Sequence, residues 1–279
     1  MHPLLLIGLY MLAALLAGAG AIHIVVRLGK PGRAVCDWLA HAPGLDVLIF
    51  YFSIIPLVVG PIAGARTIDA WWGWLAGLGV AVGAQVLMLM IWTVAHELAN
   101  PKARKKKRLV HQINSSVGRW RNHTAVWITA LAVPLFAGCR LVEYLVYPSL
   151  TVLVGFPKYK SAEWVNVSRH KFEGLVGHDL LWCLYCDWMT GVWSLGTEML
   201  RNVESFWCPI RFDSSKKCVN CTIDFPDIDG GWTPSDGTIE DARAVHAAHY
   251  PGPGGENAWF GHPGRQSAKL TVEGEPTEP

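Results

Sequence analysis

Apolar residues in this chain gather into stretches about as long as a bilayer core is thick, separated by short polar or basic interruptions. A helix needs about 20 apolar residues to cross roughly 30 Å of hydrocarbon. Four stretches meet that length, at about 4–26, 46–65, 70–95 and 124–147. The pattern predicts an all-α integral membrane fold with about four transmembrane helices. Pro56 and Pro61 fall inside the second stretch, where neighbouring helices can satisfy the carbonyls they free, so kinks are expected rather than breaks. Gly73 and Gly77, Gly79 and Gly83, and Ala13, Ala17 and Ala21 recur at four-residue spacing, which lets helix backbones approach closely. The first stretch has small residues at Ala17–Ala21, as a cleaved signal would. Its basic residues (Arg27, Lys30 and Arg33) come after it rather than before, so it is expected to be a retained span.

A different pattern follows from Leu175 to Arg201. Asp179, Cys183, Cys186, Asp187, Thr190, Ser194, Thr197, Glu198 and Arg201 recur at steps of three or four, one narrow polar stripe on an otherwise apolar, Trp-rich helix. A charge at the centre of a span costs about 2.5–3.5 kcal/mol on insertion scales, and this stripe carries several. The helix is therefore expected to be amphipathic and interfacial, with a fifth span as the alternative. From about Gly230 the chain turns to Gly, Pro and acidic residues, and no packed core is expected there. The resulting division is a helical bundle at 1–156, an amphipathic helix with a Cys-rich module at 157–229, and an acidic, disordered tail at 230–279.

Composition strengthens the membrane reading: 51% of residues are hydrophobic and 16% charged, against about 25% charged in soluble domains. Charge adds an orientation. Arg27, Lys30 and Arg33 lie in the first loop, and Lys102, Arg104, Lys105, Lys106, Lys107, Arg108, Arg119 and Arg121 lie between the third and fourth spans. The second loop has Arg66 balanced by Asp69. Lysine and arginine stay on the cytoplasmic side, which predicts an outside N-terminus and a cytoplasmic basic loop at 97–122. Four spans then favour an outside C-terminal region and five a cytoplasmic one. The run at 102–108 could also be a nuclear-localisation signal or a patch that meets lipid phosphates. The acidic tail speaks against a nucleic-acid partner; the expected partners are the bilayer and other membrane-protein subunits.

Candidate chemistry sits in the cysteines. Five of the seven fall between residues 183 and 221, as Cys183-x-x-Cys186, Cys208 and Cys218-x-x-Cys221. Two C-x-x-C pairs can supply the four thiolates of a tetrahedral zinc site or ligate an iron–sulfur cluster, with His178 as a substitute ligand. The expected function is a membrane-anchored metal-binding protein, an accessory or electron-transfer subunit of a larger complex. Two alternatives stand beside it: a thiol–disulfide oxidoreductase using Cys183 and Cys186, and a structural membrane protein with disulfides. Whether the chain is an enzyme is left open. His23 and His96 fall at matching ends of the first and third spans, where paired imidazoles could ligate haem b. Arg140 and Glu143, near the outer end of the fourth span, are expected to form an internal or interfacial pair, and Cys36 and Cys139 to be ordinary buried thiols. His170, like His178, flanks the cysteine helix and could replace a thiolate, and His246 and His249 are weaker metal candidates. No H-E-x-x-H, P-loop, G-x-S-x-G or C-x-x-C-H signature occurs.

Overall fold

A computed structural model describes residues 2–106, 108–213 and 231–249. Among the described residues the regular elements are helical, with no strand beyond isolated bridges. Four helical stretches are long and apolar enough to cross a membrane: Pro3–Val25, Gly44–Thr67, Gly73–Ala99 and Arg119–Val154. Only 11–22% of their most apolar windows is buried within the protein. Apolar surface on that scale calls for a lipid surrounding, and a helix meets its demand by satisfying every backbone group internally. Each stretch lies within a few residues of its expected position, except that the fourth starts at Arg119 and continues to Val154.

The chain divides into two compact units, one of residues 1–139 and 160–193, the other of 140–159 and 194–279. In the first unit, α1 (Pro3–Val25) runs in the same direction as α5 (Gly73–Ala99). Gly8 meets Val80 near one end, and His23 meets Trp92 and His96 near the other. Between them in sequence come α2 (Gly29–Leu39), then α3 (Gly44–Ile49), a π-turn at Phe50–Ile54 and α4 (Ile55–Thr67), the last three forming the second span. α4 packs antiparallel on α5 through glycines: Gly60 faces Gly77 and Ala81, and Gly64 faces Gly73 and Gly77. A Cβ on Gly77 would strike the Gly60 carbonyl, whereas Gly79 and Gly83 face open space. Only one of the two expected glycine pairs is therefore a packing seam. Ala13, Ala17 and Ala21 are exposed as well; α1 instead buries Leu15 and Ala19 and uses Gly18 to admit the Tyr51 ring.

Gln85 explains how the second span tolerates Pro56. Proline offers no N–H to the carbonyl four residues back, which here is Phe52. The Gln85 amide donates to the Phe52 and Ser53 carbonyls, at 2.8 Å each. The glycine seam yields a direct expectation. Gly77→Ile should destabilise the detergent-solubilised protein by about 1–3 kcal/mol or more, the range for overpacking. Gly79→Ile should leave its thermal midpoint unchanged, and equal loss from both would show that the seam is misplaced.

Beyond α5 the first unit continues through α6 (Pro101–Lys105), α7 (Leu109–Val117), α8 (Arg119–Ala130) and the start of α9 (Val133–Leu145). α10 (Tyr147–Val154) completes the fourth stretch, in the second unit. A short α11 (Ser161–Trp164) precedes α12 (His178–Trp207), which gives its first part to the first unit and the remainder to the second. In the first unit α12 lies beside the fourth stretch in the same direction. His178 meets His123 at 5.2 Å between ring centroids, Trp182 meets Trp127 at 5.4 Å, and Trp193 meets Phe136 at 5.9 Å.

The second unit is organised around buried polar side chains. Arg140 is fully buried against Glu143 and donates to the Tyr144 hydroxyl at 2.8 Å, the internal one of the two expected alternatives. Tyr159 donates to Glu198 at 3.2 Å, and Asn202 donates to the Tyr147 and Tyr159 hydroxyls. Arg201 stacks over Trp232. Residues 231–249 are ordered here, although an unstructured tail was expected from 230: Trp232 and Ala242 are buried, and Ile239–His249 forms a helix, α13. Its N-terminus is closed by Thr238 and Asp241, each side chain bonding the other's backbone N–H. Residues 250–279 of the expected tail lie outside the described residues.

Candidate functional site

The cysteine helix is positioned by its own first turn and by the segment leading into it. Gly177 precedes α12 at φ +52°, and a Cβ there would meet the Glu97 side chain at 2.6 Å. Glycine permits both the dihedral and the approach. Its N–H donates to His96 Nδ1 at 3.0 Å. One residue into the helix, Asp179 accepts the Val110 N–H and lies 3.7 Å from Arg108 Nε, while Arg108 Nη1 is 2.7 Å from Glu97. Both Arg108 and Asp179 are nearly buried. Burial alone would raise the Asp179 carboxyl; the neighbouring His178 imidazole, the Arg108 charge and the Val110 N–H outweigh it and hold it below its ordinary value.

That direction fixes a pH dependence. A carboxyl held down in the folded state contributes stability above its unfolded value and loses it as pH falls through the folded value. Stability should therefore decline on acidification below the ordinary carboxylate range, and Asp179→Asn should flatten that decline. Unfolding midpoints measured between about pH 6 and pH 2 check it; parallel curves for the two proteins would remove Asp179 as the cause.

Cys183 and Cys186 sit one turn further along, both as free thiols. Cys186 is exposed and Cys183 half-buried. Across from them, the 3-10 turn Arg169–Lys171 is held by Asp187, whose Oδ2 accepts the Ser168 and Arg169 N–H groups at 2.8 and 3.2 Å. The same carboxylate lies 3.4 Å from Arg169 Nε. So fixed, the Arg169 guanidinium lies beside Cys186, whose sulfur is the largest of the influences that raise it above its ordinary value. Burial pushes the Cys183 thiol up, only partly opposed by Arg169. The pair is asymmetric: one accessible sulfur beside a cation, and one shielded sulfur a helical turn away.

The remaining candidates separate. Cys208 is free and exposed just past α12 in the second unit, while Cys218 and Cys221 lie outside the described residues. Among the described residues no three His, Cys, Asp or Glu side chains are grouped to hold a metal. Cys36 is half-buried and, against expectation, Cys139 is exposed. His178 lies beside Asp179, His123 and Trp182 with both ring nitrogens lacking a hydrogen-bond partner. Burial, followed by the Lys171 charge, lowers His170. His246 packs on Phe206, and the His249 side chain is outside the described residues.

His23 and His96 do come together, with ring centroids 5.9 Å apart and Trp92 stacked against both. His23 Nε2 accepts from Trp92 Nε1 at 3.0 Å, and His96 Nδ1 accepts from Gly177. A neutral imidazole has one lone-pair nitrogen. Both lone pairs are thus committed to protein donors, and the haem reading finds none free. Arg169 was not legible as a site residue, since nothing local in Ser168-Arg169-His170-Lys171 marks it as a neighbour of Cys186. The chain matches no protein-family model, no curated protein and no solved structure.

Proposed function

We propose that the chain is a membrane-bound dithiol protein that exchanges disulfides with a partner through Cys183 and Cys186. The observation that carries this reading is the exposed Cys186 thiol with the half-buried Cys183 three residues away, beside an arginine turn that Asp187 holds in place. Exposure gives a partner disulfide access to Cys186, and the neighbouring arginine charge can receive the negative charge that moves between sulfurs during exchange. Cys186, having lost its proton, attacks one sulfur of a partner disulfide and releases the other as a thiolate. Cys183 then gives up its proton and attacks the Cys186 sulfur, which releases the partner's second thiolate. Two thiols here become one disulfide, and the partner disulfide becomes two thiols. Side chains three apart on a helix have Cβ atoms about 5–6 Å apart, while a disulfide takes about 3.5–4.5 Å. Closing it strains the helix and keeps the bond reducible.

The orientation belongs to this proposal. Gly177, Asp179, Glu97 and Arg108 place the start of α12 at the bundle end that carries the basic segment. With that end in the cytoplasm and the N-terminus outside, reduced thiols are the resting state. A metal reading keeps one foothold, the second C-x-x-C at Cys218 and Cys221, which with the first would complete four thiolates for zinc or an iron–sulfur cluster.

Differential alkylation of the full-length protein across a glutathione redox series tests the choice. Cys186 should label faster than Cys183, both should become protected together under oxidising conditions, and Arg169→Met should slow Cys186 labelling several-fold, up to about tenfold. Stoichiometric metal that is lost on substitution of any one of Cys183, Cys186, Cys218 or Cys221 would replace this reading with the metal one. Thiols that stay free at every potential would leave neither.

A further inference from the structure

The segment joining the third and fourth spans combines two features that the dithiol chemistry does not use. From Asn100 to Arg121 it carries no Asp or Glu, and Lys102, Arg104, Lys105, Lys106, Arg119 and Arg121 are all exposed. Within it, α7 turns Val110 inward and leaves Leu109, Ile113 and Val117 exposed, at 53%, 38% and 47%. These three recur every fourth residue, one stripe along one helix face. Gly118 then reverses the chain at φ +89°, and Trp120 follows at 83% exposure between Arg119 and Arg121. Arg108 is spent on Glu97 and Asp179, and with the Val110 N–H on Asp179 it pins the start of α7 to the bundle.

We propose that α7 and its basic flanks form a docking surface for the anionic phospholipid headgroups of the adjoining leaflet. The segment begins one residue after the third span and ends where the fourth begins, so it is held at a membrane face. A soluble polyanion would satisfy the cations but leave the apolar stripe and Trp120 in water. A lipid surface takes both: hydrocarbon for Leu109, Ile113, Val117 and Trp120, phosphate for the cations. Each basic residue near such a surface multiplies the attraction by about fivefold.

Full-length protein reconstituted with trace spin-labelled lipids provides the test. Spin-labelled phosphatidylglycerol should associate with the protein about fivefold or more over spin-labelled phosphatidylcholine at low salt, and the preference should shrink in 0.5 M salt, a measurement that needs no mutation. Joint replacement of Lys102, Arg104, Lys105, Arg119 and Arg121 by Gln should bring the ratio to about one. Ile113→Gln with Trp120→Gln keeps the charge and should lower the ratio part of the way. A wild-type ratio of one would overturn the proposal, as would a ratio untouched by the five Gln replacements. Tighter binding of a soluble polyglutamate that abolishes the lipid preference would reassign the surface to acidic protein.

Discussion

Arg108→Met is expected to destabilise the protein by about 3–5 kcal/mol, the cost of leaving buried charges without their partner. Arg108 answers two carboxylates, Glu97 at 2.7 Å and Asp179 at 3.7 Å, and is itself 9% exposed. Its removal strands both acids and leaves the Gly177–His96 bond to hold the start of α12 to the end of α5. The informative companion is the variant that adds Glu97→Gln and Asp179→Asn. Buried ion pairs replaced as a set are often close to neutral, so that triple variant should recover most of the loss. Chemical unfolding of the detergent-solubilised protein reads both. A single-variant cost under about 1 kcal/mol would mean that water reaches the cluster and screens it.

Trp188→Ala should cost about 3–5 kcal/mol, the usual range for emptying a large aromatic site. Trp188 is fully buried on α12, and its indole N–H donates to Asp46 at 3.0 Å, near the start of the second span. Trp188→Phe separates the two contributions. It keeps most of the packing and removes the donor, so about 1–3 kcal/mol of the loss should remain. A Phe variant as stable as the wild type would assign the whole effect to volume.

Both residues show what a single sequence can and cannot reveal. The four spans were legible because about 20 apolar residues in a row have few other solutions. Asp179 and Arg108 were each visible, one as a costly charge on an amphipathic helix and the other as part of an orientation signal. Their pairing was not, because ion pairs between distant segments leave no local trace. Four-residue spacing pointed equally to Gly73–Gly77 and Gly79–Gly83, and only the position of α4 distinguishes them. The fourth span begins at Arg119 rather than 124 because long basic side chains and Trp can remain helical at an interface. α13 was hidden by averaging: a Gly- and Pro-rich tail composition outweighed the Thr238–Asp241 cap and the Ala-containing run behind it. At the candidate site the cysteines were evident, and the arginine that distinguishes them was not.

The bond between Trp188 and Asp46 also has a schedule. The second and third spans are joined by only five residues, 68–72, and their glycine seam can close as soon as Ala99 has been made. Asp46 enters the membrane with that hairpin, but Trp188 follows it by 142 positions. At about 5–20 residues per second of synthesis, the indole is made roughly 7–28 s after the acid, and roughly 4–18 s after the hairpin is complete. Through that later interval the young hairpin carries Asp46 without the indole N–H that it meets in the finished fold, so this contact between the second span and α12 is among the last of the first unit to form.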